Sequence, residues 1–152
     1  MISKSKKKEI VILIPAKGKS SRVSNKNLRK YKGQSLILRT ILQSKKVIKK
    51  ENIFVSSDSK RILNIAASNG VRQIKRSKSL CLKKTTANEV IKDFIKKNLK
   101  NFSKKTILVY LQPTSPKRSY QQIKMAIQEF TKSKMNSLIS FYESNNKDIA
   151  KS

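Results

Sequence analysis

Three polar stretches concentrate the side chains that could do chemistry. The first, Ala16-Lys17-Gly18-Lys19-Ser20-Ser21-Arg22-Val23-Ser24-Asn25-Lys26-Asn27, is basic and rich in serine. Ammonium groups and backbone N–H groups in such a loop can grip a polyphosphate. An ordinary surface loop of a lysine-rich protein accounts for the same residues equally well. Gly18-Lys19-Ser20 has the ending of a P-loop, but the glycine required five positions before Gly18 is Leu13. This is therefore not a Walker A site, and no GxGxxG is present either. The second stretch, Arg76 to Thr85, carries one arginine and is mostly polar or basic. Alone it says little, because most arginines of that kind are solvated. The third is Gln112-Pro113-Thr114-Ser115-Pro116-Lys117-Arg118. Its two prolines stiffen the backbone, so the Gln112 amide, donor and acceptor at once, could be held against a base edge. A rigid turn into the next helix is the plainer explanation.

Each stretch follows an apolar run that reads as a strand. Glu9 to Pro15 (EIVILIP) has no alternation, so both of its faces should be buried, as in a parallel sheet. Asn52–Ser56, Val71–Ile74, Thr106–Leu111 and Ser137–Tyr142 are expected as further strands. Four helices fall between them. Ser35 can cap Leu36–Lys46, and Asp58 can cap the next helix, which carries Ile62, Ile65 and Ala66 and stops at Asn69-Gly70. Thr86–Leu99 presents Val90, Ile91, Phe94 and Ile95, and Ser119-x-x-Gln122 is a capping box. The order β-α-β-α-β-α-β-α-β predicts a Rossmann-like α/β fold, mainly parallel, with helices on both faces. Ligands of such sheets bind outside the carboxyl ends of the strands, where all three polar stretches sit.

Composition removes several kinds of chemistry. There is no histidine, which excludes Ser-His-Asp and Cys-His catalysis and histidine metal ligands. Cys81 is the one cysteine, so there is no disulfide framework or zinc ribbon. The 152 residues suit a single domain, 1–152. The polar end after Tyr142 suggests a domain that is C-terminally incomplete. Met1–Lys8 followed by Ile10–Ile14 mimics a signal peptide, but the apolar run is short and Lys17 and Lys19 follow at once. No stretch approaches the roughly 20 apolar residues of a membrane span. A cytoplasmic location is expected, with no membrane partner.

Thirty-seven Lys and Arg against eight Asp and Glu leave a net charge of +29. Such a charge invites a nucleic-acid reading. The charge is mostly lysine and is scattered along the whole chain, as compositional drift would leave it. Five Phe and four Tyr form no base-stacking pattern. No specific nucleic acid is expected.

Four segments together resemble the acylneuraminate cytidylyltransferases, the CMP-sialic acid synthetases. Ile14-Pro15-Ala16-Lys17-Gly18-Lys19-Ser20 is similar to the family's IPARGGS, and Asn25-Lys26-Asn27-Leu28-Arg29-Lys30 to its xKNLRK. Val55-Ser56-Ser57-Asp58 is similar to VSTD, and Leu111 to Arg118 to LQPTSPLR. The resemblance corresponds to about the first two thirds of a family member. It implies a nucleotide-diphospho-sugar transferase-like fold and transfer of CMP from CTP to a sialic acid-like nonulosonic acid, with release of pyrophosphate. By resemblance, Lys17, Lys26 and Asn27 meet the triphosphate, Arg76 and Thr85 meet the nucleotide, and Gln112 lies close to it. Mg²⁺ is implied as cofactor. The family's metal-binding aspartates, a catalytic basic residue and the dimerising extension belong to the part that this chain does not match. The family's loop arginine is Lys17 here, which keeps the charge and loses the bidentate fork. Its second glycine is Lys19, its next lysine is Ser21, and an aspartate of the second loop is Lys83.

The alternatives are a nucleotide-binding remnant without turnover, a Kdo-type cytidylyltransferase, and a basic nucleic-acid-binding module.

Overall fold

Strand β1 (Ile10–Pro15) is the centre of the molecule, and Val11 to Ile14 are wholly buried, as an apolar run without alternation requires. The structure is a computed structural model that describes residues 9–18, 25–98, 100 and 102–140. In chain order β1 is followed by a short hairpin, β2 (Lys30–Tyr31) and β3 (Gln34–Ser35), and by helix α1 (Leu36–Lys45). Strand β4 (Ile53–Ser57), α2 (Lys60–Ser68), β5 (Arg72–Lys75), α3 (Ala87–Asn98), β6 (Ile107–Tyr110) and α4 (Tyr120–Lys132) complete it. The main sheet is parallel, in the order β5-β4-β1-β6. In register, Leu13 lies beside Phe54 of β4 and Tyr110 of β6.

The two faces of β1 feed two cores. Ile12, Ile14 and Ala16 pack with Ile37 and Ile41 of α1, Ile62 and Ala66 of α2, and Ile123 and Ile127 of α4. Val11 and Leu13 pack on the other side with Phe54 and Phe94 of α3. There Phe54, Phe94 and Phe102 form a triad with centroids 5.1 to 6.1 Å apart. Edge-to-face contacts of this kind add to simple burial. The fold is thus the expected one: a parallel α/β sheet with helices on both faces.

Helix starts follow local chemistry. The Ser35 hydroxyl accepts from Leu38 N–H, and the Ser119–Gln122 capping box is present. At α3, Glu89 Oε2 accepts from Thr86 N–H at 2.7 Å, and Thr86 Oγ1 accepts from Glu89 N–H at 3.3 Å. The Thr86 backbone and hydroxyl bonds hold the Glu89 carboxyl below the usual glutamate range. A carboxyl lowered in the folded state stabilises above its unfolded value and stops doing so as pH falls through its folded value. Amide protection at Thr86 and Glu89, corrected for intrinsic exchange, is therefore expected to fall across that acid window. Protection that stays flat would dispose of this cap.

Two expectations need correction. The second helix is capped by Ser59, whose hydroxyl accepts from Ile62 N–H, and not by Asp58. The fifth strand is absent from residues 137–140, and Phe141 and Tyr142 lie outside the described residues. Leu138 is 46% and Ile139 85% exposed, because among the described residues no strand or helix covers them. The β2–β3 hairpin was not expected. It turns at Lys32-Gly33, both at positive φ (49° and 79°), the geometry of a tight two-residue hairpin loop. Lys-Gly is a weak signal for it, since lysine rarely takes that conformation.

Candidate functional site

The chain leaves β1 toward β4 on one side and returns to β6 on the other. A crevice opens at the carboxyl ends of strands where the winding reverses. A cleft of about 310 Å³ lies there. Lys17, Lys26, Asn27, Arg76, Thr85 and Gln112 all line it, so the fold brings the six candidate residues from three loops to one place.

The first loop is held on two sides. The buried Asn27 donates from Nδ2 to the Lys17 carbonyl at 2.9 Å, tying the 3-10 turn at Lys26–Leu28 to the end of β1. Gly18 N–H donates to Asp58 Oδ1 at 2.7 Å. A Cβ on Gly18 would lie 2.8 Å from Ser59 Cβ, so the loop backbone sits directly on the start of α2 and only glycine fits. Asp58 is thus a latch on the first loop, a role sequence reading missed. Both neighbours of Asp58 are serines that can cap, and nothing local separates an N-cap from a long-range acceptor.

Arg76 is the feature least visible in sequence. Following β5, it is only 6% exposed. Its Nε donates to Ser56 Oγ at 3.1 Å and its Nη2 to the Ser56 carbonyl at 2.9 Å. Among the described residues the ion pairs are Lys97–Asp93 and Lys132–Glu129, so no carboxylate neutralises Arg76. A buried guanidinium held only by neutral acceptors favours an anionic or strongly polar ligand beside it. Lys17 and Lys26 add positive charge, and no acidic residue is among the described lining residues.

The third loop is clamped onto α1. Arg39 Nε donates to the Pro116 carbonyl at 2.6 Å, and Tyr120 N–H donates to Gln43 Oε1 at 2.8 Å. Arg118 Nη2 donates to the Gln112 carbonyl at 3.0 Å. Pro113 is fully buried, and the Gln112 side chain stands exposed at the mouth. In the second loop, Thr85 hydrogen-bonds through N–H to the Leu82 carbonyl and through its hydroxyl to that of Ser79. Burial, then the charge of Asp58, push the Cys81 thiol up, so it rests as a neutral thiol donating to the Ser77 carbonyl. Sequence reading also passed over Tyr110, Val90 and Leu80, which form an apolar wall of the cleft. The signal for Tyr110 is its place, last in a buried strand and two residues before Gln112.

The cleft can therefore take a ligand with a flat, partly apolar portion and a strongly anionic one. No group of three His, Cys, Asp or Glu that could hold an ion occurs among the described residues. No helix there is long and apolar enough to cross a membrane.

Comparison with known proteins places this geometry. The family model described as cytidylyltransferase matches residues 11–151. An N-acylneuraminate cytidylyltransferase of Streptococcus agalactiae is 29% identical over 136 residues, 88% of this chain and 32% of that protein. A CMP-N,N'-diacetyllegionaminic acid synthase of Legionella pneumophila is 33% identical over 122 residues, 78% of this chain and 52% of that one. The chain thus spans about a third to a half of these relatives. The solved structure of CMP:2-keto-3-deoxy-manno-octonic acid synthetase complexed with CTP shares the fold, with a TM-score of 0.62 at 18% identity, over 81% of this chain and 47% of that one. The chain belongs to the cytidylyltransferase family and resembles the N-terminal part of its N-acylneuraminate members.

Proposed function

We propose that the cleft binds CTP and that the chain is the nucleotide-holding part of an enzyme transferring CMP to a sialic acid-like nonulosonic acid. The observation that carries this reading is the meeting of six candidate residues from three loops in one positive cleft at the reversal of strand order. In the reaction, a sugar hydroxyl gives up its proton to solvent as its oxygen bonds to the α-phosphorus, the bond from that phosphorus to the α,β-bridging oxygen breaks, and pyrophosphate leaves. Such transfers depend mainly on positioning and on neutralising charge. Lys17 and Lys26 would neutralise the triphosphate, and Asn27 would keep the loop shaped around it. Arg76 and Thr85 would face the nucleoside, and Gln112 would stand between nucleotide and sugar.

Mg²⁺ is part of the proposed reaction, but the described residues do not fit a protein-held ion. No group of three His, Cys, Asp or Glu that could hold an ion occurs there, and Asp58 accepts from Gly18 N–H through Oδ1. The nonulosonic acid is proposed from relatives whose names cover N-acylneuraminate and diacetyllegionaminic acid. A cytoplasmic site of action, where CTP is made, belongs to the same reading.

Calorimetric titration with CTP and Mg²⁺ at physiological salt, with ATP as control, tests it. A clear preference for CTP is expected, weakened about tenfold in Asn27→Ala and in Gln112→Ala, as loss of a ligand contact or its support would give. ATP bound as tightly as CTP would reduce the cleft to a patch for any polyanion.

A further inference from the structure

Tyr110 stands in the wall of the cleft without a task in the reading above. It ends β6, and its ring lies on the face that carries Phe94 and Phe54, at the end nearest the opening. It lines the cleft together with Arg76, Val90 and Gln112. It is half-buried, yet no protein group bonds its hydroxyl among the described residues, where every side chain–side chain and side chain–backbone bond has other partners. No wholly buried polar side-chain atom there lacks a partner. Among the described residues the phenol oxygen therefore faces open space, and the open space beside this residue is the cleft. A half-buried tyrosine normally finds a partner for its hydroxyl.

We infer that Tyr110 is a ligand-contacting residue whose hydroxyl donates a hydrogen bond to a neutral oxygen of the bound nucleotide, in its base or in its ribose. This rests on the CTP reading of the cleft. Two features direct the hydroxyl to the nucleoside end. Val90 and Pro113, which line the same cleft, are apolar, which suits a flat ring. The lysines that would meet the triphosphate come instead from the loop after β1. Burial raises the phenol, and the nearby Arg76 charge opposes this in part, so the group stays a neutral donor at ordinary pH. A neutral donor matches a carbonyl or hydroxyl oxygen better than a phosphate.

The test uses the full chain and its Tyr110→Phe and Tyr110→Leu variants, titrated with CTP and with 2′-deoxy-CTP. Loss of one neutral hydrogen bond predicts CTP affinity about threefold to tenfold weaker in Tyr110→Phe. Its melting temperature without ligand should not move, because the hydroxyl has no protein partner to lose. A structural role would lower that temperature. Tyr110→Leu should weaken CTP further, by removing the ring as well. A loss confined to CTP would assign the bond to the ribose 2′-hydroxyl, and equal losses for CTP and 2′-deoxy-CTP would assign it to an oxygen that both share, in the base or elsewhere on the ribose. CTP binding in the parent chain that is unchanged in Tyr110→Phe overturns this inference alone. Absence of CTP binding in the parent chain overturns the nucleotide reading and this inference with it.

Discussion

Phe94→Ala is expected to destabilise the fold by about 3–5 kcal/mol, the range for truncating a buried aromatic. Phe94 is 2% exposed and meets Phe54 at 5.1 Å and Phe102 at 5.4 Å. The side of the sheet that it covers has one helix, α3, while three helices cover the other. The four fully buried members of this smaller core are Val11, Leu13, Phe54 and Phe94, so few neighbours can collapse into the space left behind. Domains of this size are stable by only about 5–15 kcal/mol, so the loss is a large share of the total. Urea unfolding followed by circular dichroism reads it as a fall in the midpoint at constant slope. A loss below about 1 kcal/mol would mean that the aromatic triad is not packed as described.

Arg76→Met should lower nucleotide affinity without a matching loss of stability. Methionine fills much of the same volume and removes a buried charge, a change that is often neutral or stabilising. The Ser56 carbonyl keeps a second donor, Ala16 N–H at 2.9 Å, so no backbone acceptor is orphaned. Nucleotide affinity should nevertheless fall about tenfold to a hundredfold, the effect of losing a charge-assisted hydrogen bond. Parallel melting and CTP titrations separate the two effects. Unchanged CTP affinity in a folded Arg76→Met variant would show that the buried guanidinium serves the fold and not the ligand.

Much of the frame was legible because its signals are local. EIVILIP announces a strand buried on both faces whatever surrounds it, and Ser119-x-x-Gln122 announces a helix start from two side chains three residues apart. The six candidate residues were legible only through the resemblance of their loops to a known family. Their types alone did not separate them from a lysine-rich surface. Where local signals compete, sequence reading failed. Asp58 and Ser59 are both good caps, and the contest was settled by Gly18, forty residues away, whose N–H takes the Asp58 carboxylate. The apolar run Ser137–Tyr142 has strand character, yet for residues 137–140 no strand among the described residues lies alongside to pair with it.

By itself, then, the chain's order of residues determined roughly where the four helices and the four strands of the main sheet lie, that the sheet is parallel, and which three loops crown it. Hydrophobic periodicity and capping act over a few residues, so they can be read in one dimension. Only the tertiary structure decided that β1 lies between β4 and β6, which is what draws Lys17, Arg76 and Gln112 into one cleft. It alone buried Arg76 against Ser56, turned Asp58 toward Gly18 and left the Tyr110 hydroxyl facing open space. These outcomes depend on strand order and on contacts between residues 20 to 40 apart in sequence, which no local pattern of residues encodes.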